Sequence, residues 1–213
     1  MRSGVRRFGW NAIVALAGLV VLAVVAWAGA RVGGYLKPFY MPVESMSPTL
    51  ERNDRFFASM RGPGKLERGD VLVMAVGDET YVKRVAALPG DTIAMRNGIV
   101  ILNGRPVPQR FVRRQAYPYR FGPRSSSVLA ERFPGEVAEH HILDLERSEV
   151  DNMAERRIPP GYLFVLGDNR DRSADSRVPR EAMGVELLPI GNVKGHVLFF
   201  YWPRAKLGRS VAS

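Results

Sequence analysis

From Ile13 to Ala30 the chain runs through 18 residues without a charged or polar side chain, flanked by Trp10 and Trp27, whose rings suit a membrane interface. At about 1.5 Å rise per residue, a helix extended back to Phe8 is long enough to cross the hydrocarbon core. This feature divides the sequence into a cytoplasmic end (1–8), a membrane anchor (9–30) and a body that must fold in water. Arg2, Arg6, Arg7 and the α-amino group precede the run, against Arg31 and Lys37 behind it. The positive-inside bias places the amino terminus in the cytoplasm and the body on the outer face of the membrane. A cleaved secretory leader is the alternative, because Ala28-Gly29-Ala30 has the small-x-small form of a cleavage site. The apolar core of a leader normally spans about 7 to 15 residues, and this run is longer, which favours a retained anchor.

Beyond Gly33-Gly34 and Pro38, a short linker, the apolar pattern changes period. Val71 to Val76, Tyr81 to Ala87, Thr92 to Met95, Ile99 to Leu102, Leu163 to Leu166 and His196 to Trp202 are short β-branched or apolar runs separated by Gly, Pro, Asp or Asn. Asn97-Gly98 between two of them is a type I′ hairpin signal, since both central residues need positive φ. Residues 104–157 lose the alternation and gain Pro, Ser and charge, and they read as a subdomain inserted between segments 31–103 and 158–213. Apart from the membrane helix no helical period is sustained. The fold class is mostly β: one transmembrane helix, then a strand-rich domain with a β-rich insertion.

Thirty-one Lys and Arg against 21 Asp and Glu give a formal charge of +10, which suits an anionic partner such as phospholipid headgroups. The basic residues are scattered and no zinc-finger, homeodomain or RNP signature accompanies them, so nucleic acid is not expected. Cysteine is absent, so no thiol chemistry operates.

Chemistry concentrates in three segments. Ser45 lies between Pro42 and Pro48, with Met46 and Leu50 as apolar neighbours. Lys83 lies 38 residues on, in a strand whose period of two puts Tyr81, Lys83 and Val85 on one face and Val82 and Arg84 on the other. A lysine with a reference pKa of about 10.4 acts as a base near neutrality only if burial lowers that value by roughly 2 to 3 units. The third segment, Gly167 to Arg177, follows the strand Leu163 to Leu166 and is almost wholly polar. In extended geometry Ser173, Asp175 and Arg177 share a face, where Asp175 and Arg177 can pair.

These segments together resemble bacterial type I signal peptidases, membrane-bound serine proteases that remove signal peptides from exported preproteins. Pro42 to Leu50, Tyr81 to Asp91 and Gly167 to Arg177 match that family's serine, lysine and final boxes, and the resemblance extends from about Phe39 to Trp202. It implies Ser45 as nucleophile and Lys83 as general base. It also implies Ser173 as the hydroxyl that orients the lysine, and Asp175 with Arg177 as the pair that supports the loop. Met41, Pro42, Val43, Met46, Leu50, Tyr81 and Val82 would line shallow pockets for the small residues one and three positions before the scissile bond. No cofactor is implied. The implied partners are preprotein signal peptides, membrane phospholipid and a nearby secretion translocon, and the implied location is the inner (plasma) membrane with the catalytic domain on the periplasmic face. One departure stands beside the serine. Val43 occupies a position where the family commonly has a serine whose hydroxyl helps hold the oxyanion, which leaves the Ser45 backbone N–H or another donor to do so.

Other readings fit less of the chain. His140, His141 and His196 are the only candidates for a Ser/His site, and two lie in the insertion. His140 and His141, with Glu139 or Asp144, lack the spacing of a zinc helix and read as surface histidines. A self-cleaving repressor shares a Ser/Lys dyad but would carry a helix-turn-helix. A membrane-anchored binding protein of the same fold with lost or weakened catalysis is motivated by Val43.

Overall fold

Short β-branched segments closed by Gly and Asn turns dominate the architecture of the computed structural model, which describes residues 18–22, 29, 35–117 and 124–211. The chain divides into two units, Met1–Lys37 and Pro38–Ser213. In the first, residues 18–22 are helical. Among the described residues no helix is long and apolar enough to cross a membrane, and most of the expected span 9–30 lies outside them.

Fourteen strands are described, all in antiparallel ladders wherever register is defined. The largest sheet runs in the order β1 (Leu36–Tyr40), β2 (Arg55–Ser59), β14 (Val193–Trp202), β3 (Val71–Val76), β4 (Glu79–Ala87), β12 (Tyr162–Leu166) and β13 (Leu188–Pro189). Its centre is the hairpin β3–β4, where Leu72 faces Lys83 and Val71 faces Arg84 across the ladder. Both faces of these strands are covered. Val71, Val73 and Val82 pack with Met41, Met46, Leu50 and Phe56, while Leu72, Met74 and Val85 pack with Leu163, Val165 and Leu188. A strand buried on both faces has no solvent side, so both Lys83 and Arg84 are carried into the interior.

A second sheet contains β11 (Met153–Arg157), β5 (Thr92–Arg96), β6 (Ile99–Leu102) and β7 (Arg105–Pro106). β5 and β6 join through Asn97 and Gly98 at φ 51° and 79°, the left-handed pair that a type I′ turn requires. The third sheet orders β10 (His140–Asp144), β9 (Arg124–Glu131) and β8 (Gln109–Tyr117). β8 carries Arg110, Arg113 and Arg114 and is exposed along most of its length, which is why apolar alternation does not reveal it. Its pairing with β9 holds it instead, with Val128 and Ala130 buried beneath.

Candidate active site

Ser45 sits on a turn that the local sequence closes tightly. The Ser47 N–H donates to the Glu44 carbonyl at 3.1 Å and the Leu50 N–H to the Met46 carbonyl at 2.9 Å. Met46 and Leu50 are both fully buried, and their contact with Phe56 and Val82 pins the turn to the large sheet. This corrects the expectation that they line a substrate pocket: both side chains point beneath the turn, into the core.

Period two on β4 delivers Lys83 to the serine. Lys83 Nζ donates to Ser45 Oγ at 2.8 Å, with the residues only 2 % and 6 % exposed, and the amine lies 5.6 Å from the centre of the Tyr81 ring. Burial pushes the lysine down to about 8, against the opposing pull of the Asp175 and Asp168 carboxylates. A hydroxyl bonded to an amine that gives up its proton near neutrality is the arrangement a serine nucleophile with a lysine base requires.

The Gly167 to Arg177 loop closes over this pair. At Gly167 an added Cβ would run into Ser173 and the Ser45 carbonyl, so only glycine allows the loop to approach the turn this closely. The fully buried Asp175 accepts from the Gly167 N–H at 3.0 Å and grips Arg177 through Nε and Nη2 at 2.9 and 2.8 Å. The Asn169 N–H donates to the Ser45 carbonyl at 3.2 Å. Ser173 is buried beside them, but its Oγ has no hydrogen-bond partner. The expected bond from Ser173 to the lysine is therefore not formed; Lys83 spends its contact on Ser45.

On the other face of β4, Arg84 enters a cluster that the sequence reading did not anticipate. Its guanidinium grips Asp168 at 2.9 and 2.8 Å, donates to the Gly69 carbonyl at 2.7 Å and lies 3.7 Å from Glu136. Asp168 also accepts from Thr49 Oγ1 at 2.5 Å, and Arg170 pairs with Glu131. His140 stands between Glu136 at 2.9 Å and Glu131 at 3.3 Å, nearly closed to solvent. The expectation of a surface histidine is corrected there, because two carboxylates offset the desolvation of the ring, while His141 is exposed. Among the described residues no group of acidic, histidine or cysteine side chains could hold a metal ion.

Ser45 and Lys83 open onto a cleft of about 570 Å³. Of the residues expected to contact substrate, Met41, Pro42, Val43, Tyr81 and Val82 line it, and Phe39, Glu79, Thr80, Arg172 and Met183 are among the other residues of its wall.

A family model described as "Signal peptidase, peptidase S26" matches residues 11–202. The chain belongs to the signal peptidase family. It is 36 % identical over 163 residues to signal peptidase I of Bacillus caldolyticus, covering 75 % of this chain and 76 % of that one. With signal peptidase I of Pseudomonas aeruginosa the identity is 32 % over 199 residues, covering 81 % of this chain and 67 % of the relative. Signal peptidase I S of Bacillus subtilis is 29 % identical over 195 residues, with 91 % of each chain covered. This signal peptidase is accordingly a hydrolase, a serine peptidase. Within it the three sequence segments meet at one place, whereas Tyr117 and the partners of Arg84, Asp168 and Asn169 emerge only from the fold. The pattern around Arg84 held one usable signal: a central strand has no solvent face, so its charged residue needs a buried partner.

Proposed function

We propose that this protein is a membrane-bound endopeptidase that removes signal peptides from exported preproteins after small-x-small sites, using Ser45 as nucleophile and Lys83 as general base. The 2.8 Å bond between Lys83 Nζ and Ser45 Oγ, buried at the floor of a largely apolar cleft, carries the proposal. In the neutral form Lys83 takes the Ser45 proton as Oγ attacks the carbonyl, and the resulting ammonium gives a proton to the leaving amine. The acyl-enzyme is then hydrolysed by water, with Lys83 again the base. Substrate in extended form would lie along strand edges of the cleft, its small side chains against Met41, Pro42, Val43, Tyr81 and Val82. Asp175 and Arg177 hold the loop, and Ser173 supports the lysine side with a hydroxyl that has no competing partner.

In the same reading residues 9–30 anchor the protein in the plasma membrane. The amino terminus is cytoplasmic, and the catalytic body stands on the outer face, near phospholipid and the translocon from which signal peptides emerge. Residues 31–103 and 158–213 form the catalytic domain, and 104–157 are inserted in it. Purified full-length protein in detergent is expected to cleave a preprotein after a small-x-small site, and Ser45→Ala or Lys83→Ala to abolish cleavage. Cleavage retained by either variant would sink the dyad.

A further inference from the structure

Tyr117 ends β8 in the three-stranded sheet, yet its hydroxyl donates to Glu44 Oε2 at 2.8 Å, one residue before the serine. The same hydroxyl accepts from Asn169 Nδ2 at 3.0 Å, and that nitrogen also donates to the Glu44 carbonyl at 3.1 Å. A carbonyl only accepts, so the amide nitrogen of Asn169, not its oxygen, must face it. The bonds close a ring from the Glu44 carboxylate through Tyr117 and Asn169 back to the Glu44 carbonyl. Arg172 braces the ring from outside, with its guanidinium 5.3 Å from the centre of the Tyr117 ring and 3.7 Å from Glu44 Oε2.

The Glu44 carbonyl and the Ser45 N–H belong to one peptide unit. That unit is planar, so holding the carbonyl fixes the direction of the N–H. An oxyanion hole lowers a barrier only when its donor is fixed before the charge develops. Val43, half-exposed on the cleft, offers no hydroxyl for this purpose, so the demand falls on the backbone.

We propose that Tyr117 and Glu44 are positioning residues for the reaction: through Asn169 they hold the Glu44–Ser45 peptide so that the Ser45 N–H receives the oxyanion. The inference rests on Ser45 as nucleophile. It gives the three-stranded sheet a part in the chemistry without contact to substrate, because the sheet supplies the hydroxyl that closes the ring.

The test is Tyr117→Phe in the full chain, which keeps the aromatic ring and removes one hydroxyl. The expected result is a fall of about ten-fold in kcat with KM within about two-fold and an unchanged unfolding midpoint. A peptide aldehyde, whose adduct with Ser45 places an oxygen in the hole, should bind about ten-fold more weakly. Glu44→Ala should show the same fall, and Glu44→Gln, which keeps an acceptor for Tyr117, should recover most of it. The double variant Tyr117→Phe/Glu44→Ala should lose no more than either single one. Wild-type kcat in Tyr117→Phe, a loss confined to KM, or losses that multiply in the double variant would each overturn the inference. Failure of the underlying reading looks different, for then Ser45→Ala would cleave as well as the wild type.

Discussion

Lys83 and Arg84 are neighbours in sequence, both cationic and both buried, yet the two sides of β4 treat them in opposite ways. Lys83 faces a turn and an apolar cleft, and its one hydrogen bond is to a neutral hydroxyl. Burial therefore wins, and the group is pushed down to about 8. Arg84 faces Asp168 and Glu136; burial alone would lower it, but the carboxylates outweigh that and hold it above its ordinary value. Asp168 is held below the usual carboxylate range, since the charge and hydrogen bonds of Arg84 outweigh its burial. One side of the strand leaves a charge poorly compensated, so burial weakens its hold on the proton; the other neutralises its charges and holds Asp168, and with it the start of the polar loop, in place.

The comparison breaks most sharply at the dyad. Lys83→Ala should lower kcat by at least about 10³ while the protein stays folded, as measured by preprotein cleavage beside circular dichroism. On the opposite face, Arg84→Met leaves Asp168 buried without its partner and should cost about 3 to 5 kcal/mol in chemical denaturation. Lys83→Met should do the reverse. A shift from the reference value of 10.5 to about 8 means that the folded state bears a cost of about 3 kcal/mol for the charged amine at neutral pH. Its removal should raise stability at pH 7 by up to that amount; if both methionine variants shift stability in the same direction, the contrast between the two faces is wrong.

The pH dependence sharpens the same point. Because the folded value lies below the unfolded one, the unfolded chain binds the extra proton between about pH 8 and 10.5, and the lysine's contribution makes stability rise with pH across that window. The advantage of Lys83→Met should shrink accordingly as pH approaches 10.5. Cleavage should increase with pH through about 8, as the amine becomes a base; a rate that does not change from pH 6 to 10 would exclude Lys83 from that role. The smallest effect belongs to the rim of the cleft. Val43→Ser adds a hydroxyl donor beside the Ser45 N–H proposed to receive the oxyanion, so a gain in kcat of no more than about ten-fold is expected, and a larger one would show the hole to be deficient.

The sequence made much of the sheet legible because the signals are local. The apolar runs of β3, β5, β6 and β12 and the Asn97-Gly98 turn depend on residues within a few positions of each other. β8 gave no such signal, since its arginines leave it with little apolar alternation. Met46 and Leu50 were recognised as apolar, but whether an apolar residue lines a cleft or seals a core depends on what lies behind it. His140 looked like a surface residue because Glu131 reaches it only when β9 and β10 pair and Glu136 only when the loop between them folds back.

What the sequence by itself determined is the chemistry on offer: a serine and a lysine in the serine and lysine boxes of a signal peptidase, a strand-rich body and a polar loop to cover them. Tertiary structure alone decided how that chemistry is tuned. Desolvation and pairing depend on partners brought from far along the chain, with Asp168 lying 84 residues from Arg84 and Tyr117 lying 73 from Glu44. Two adjacent cations thus acquire opposite character because period two in a strand sends them into different surroundings: burial outweighs the carboxylates around one, and directly paired carboxylates outweigh burial at the other.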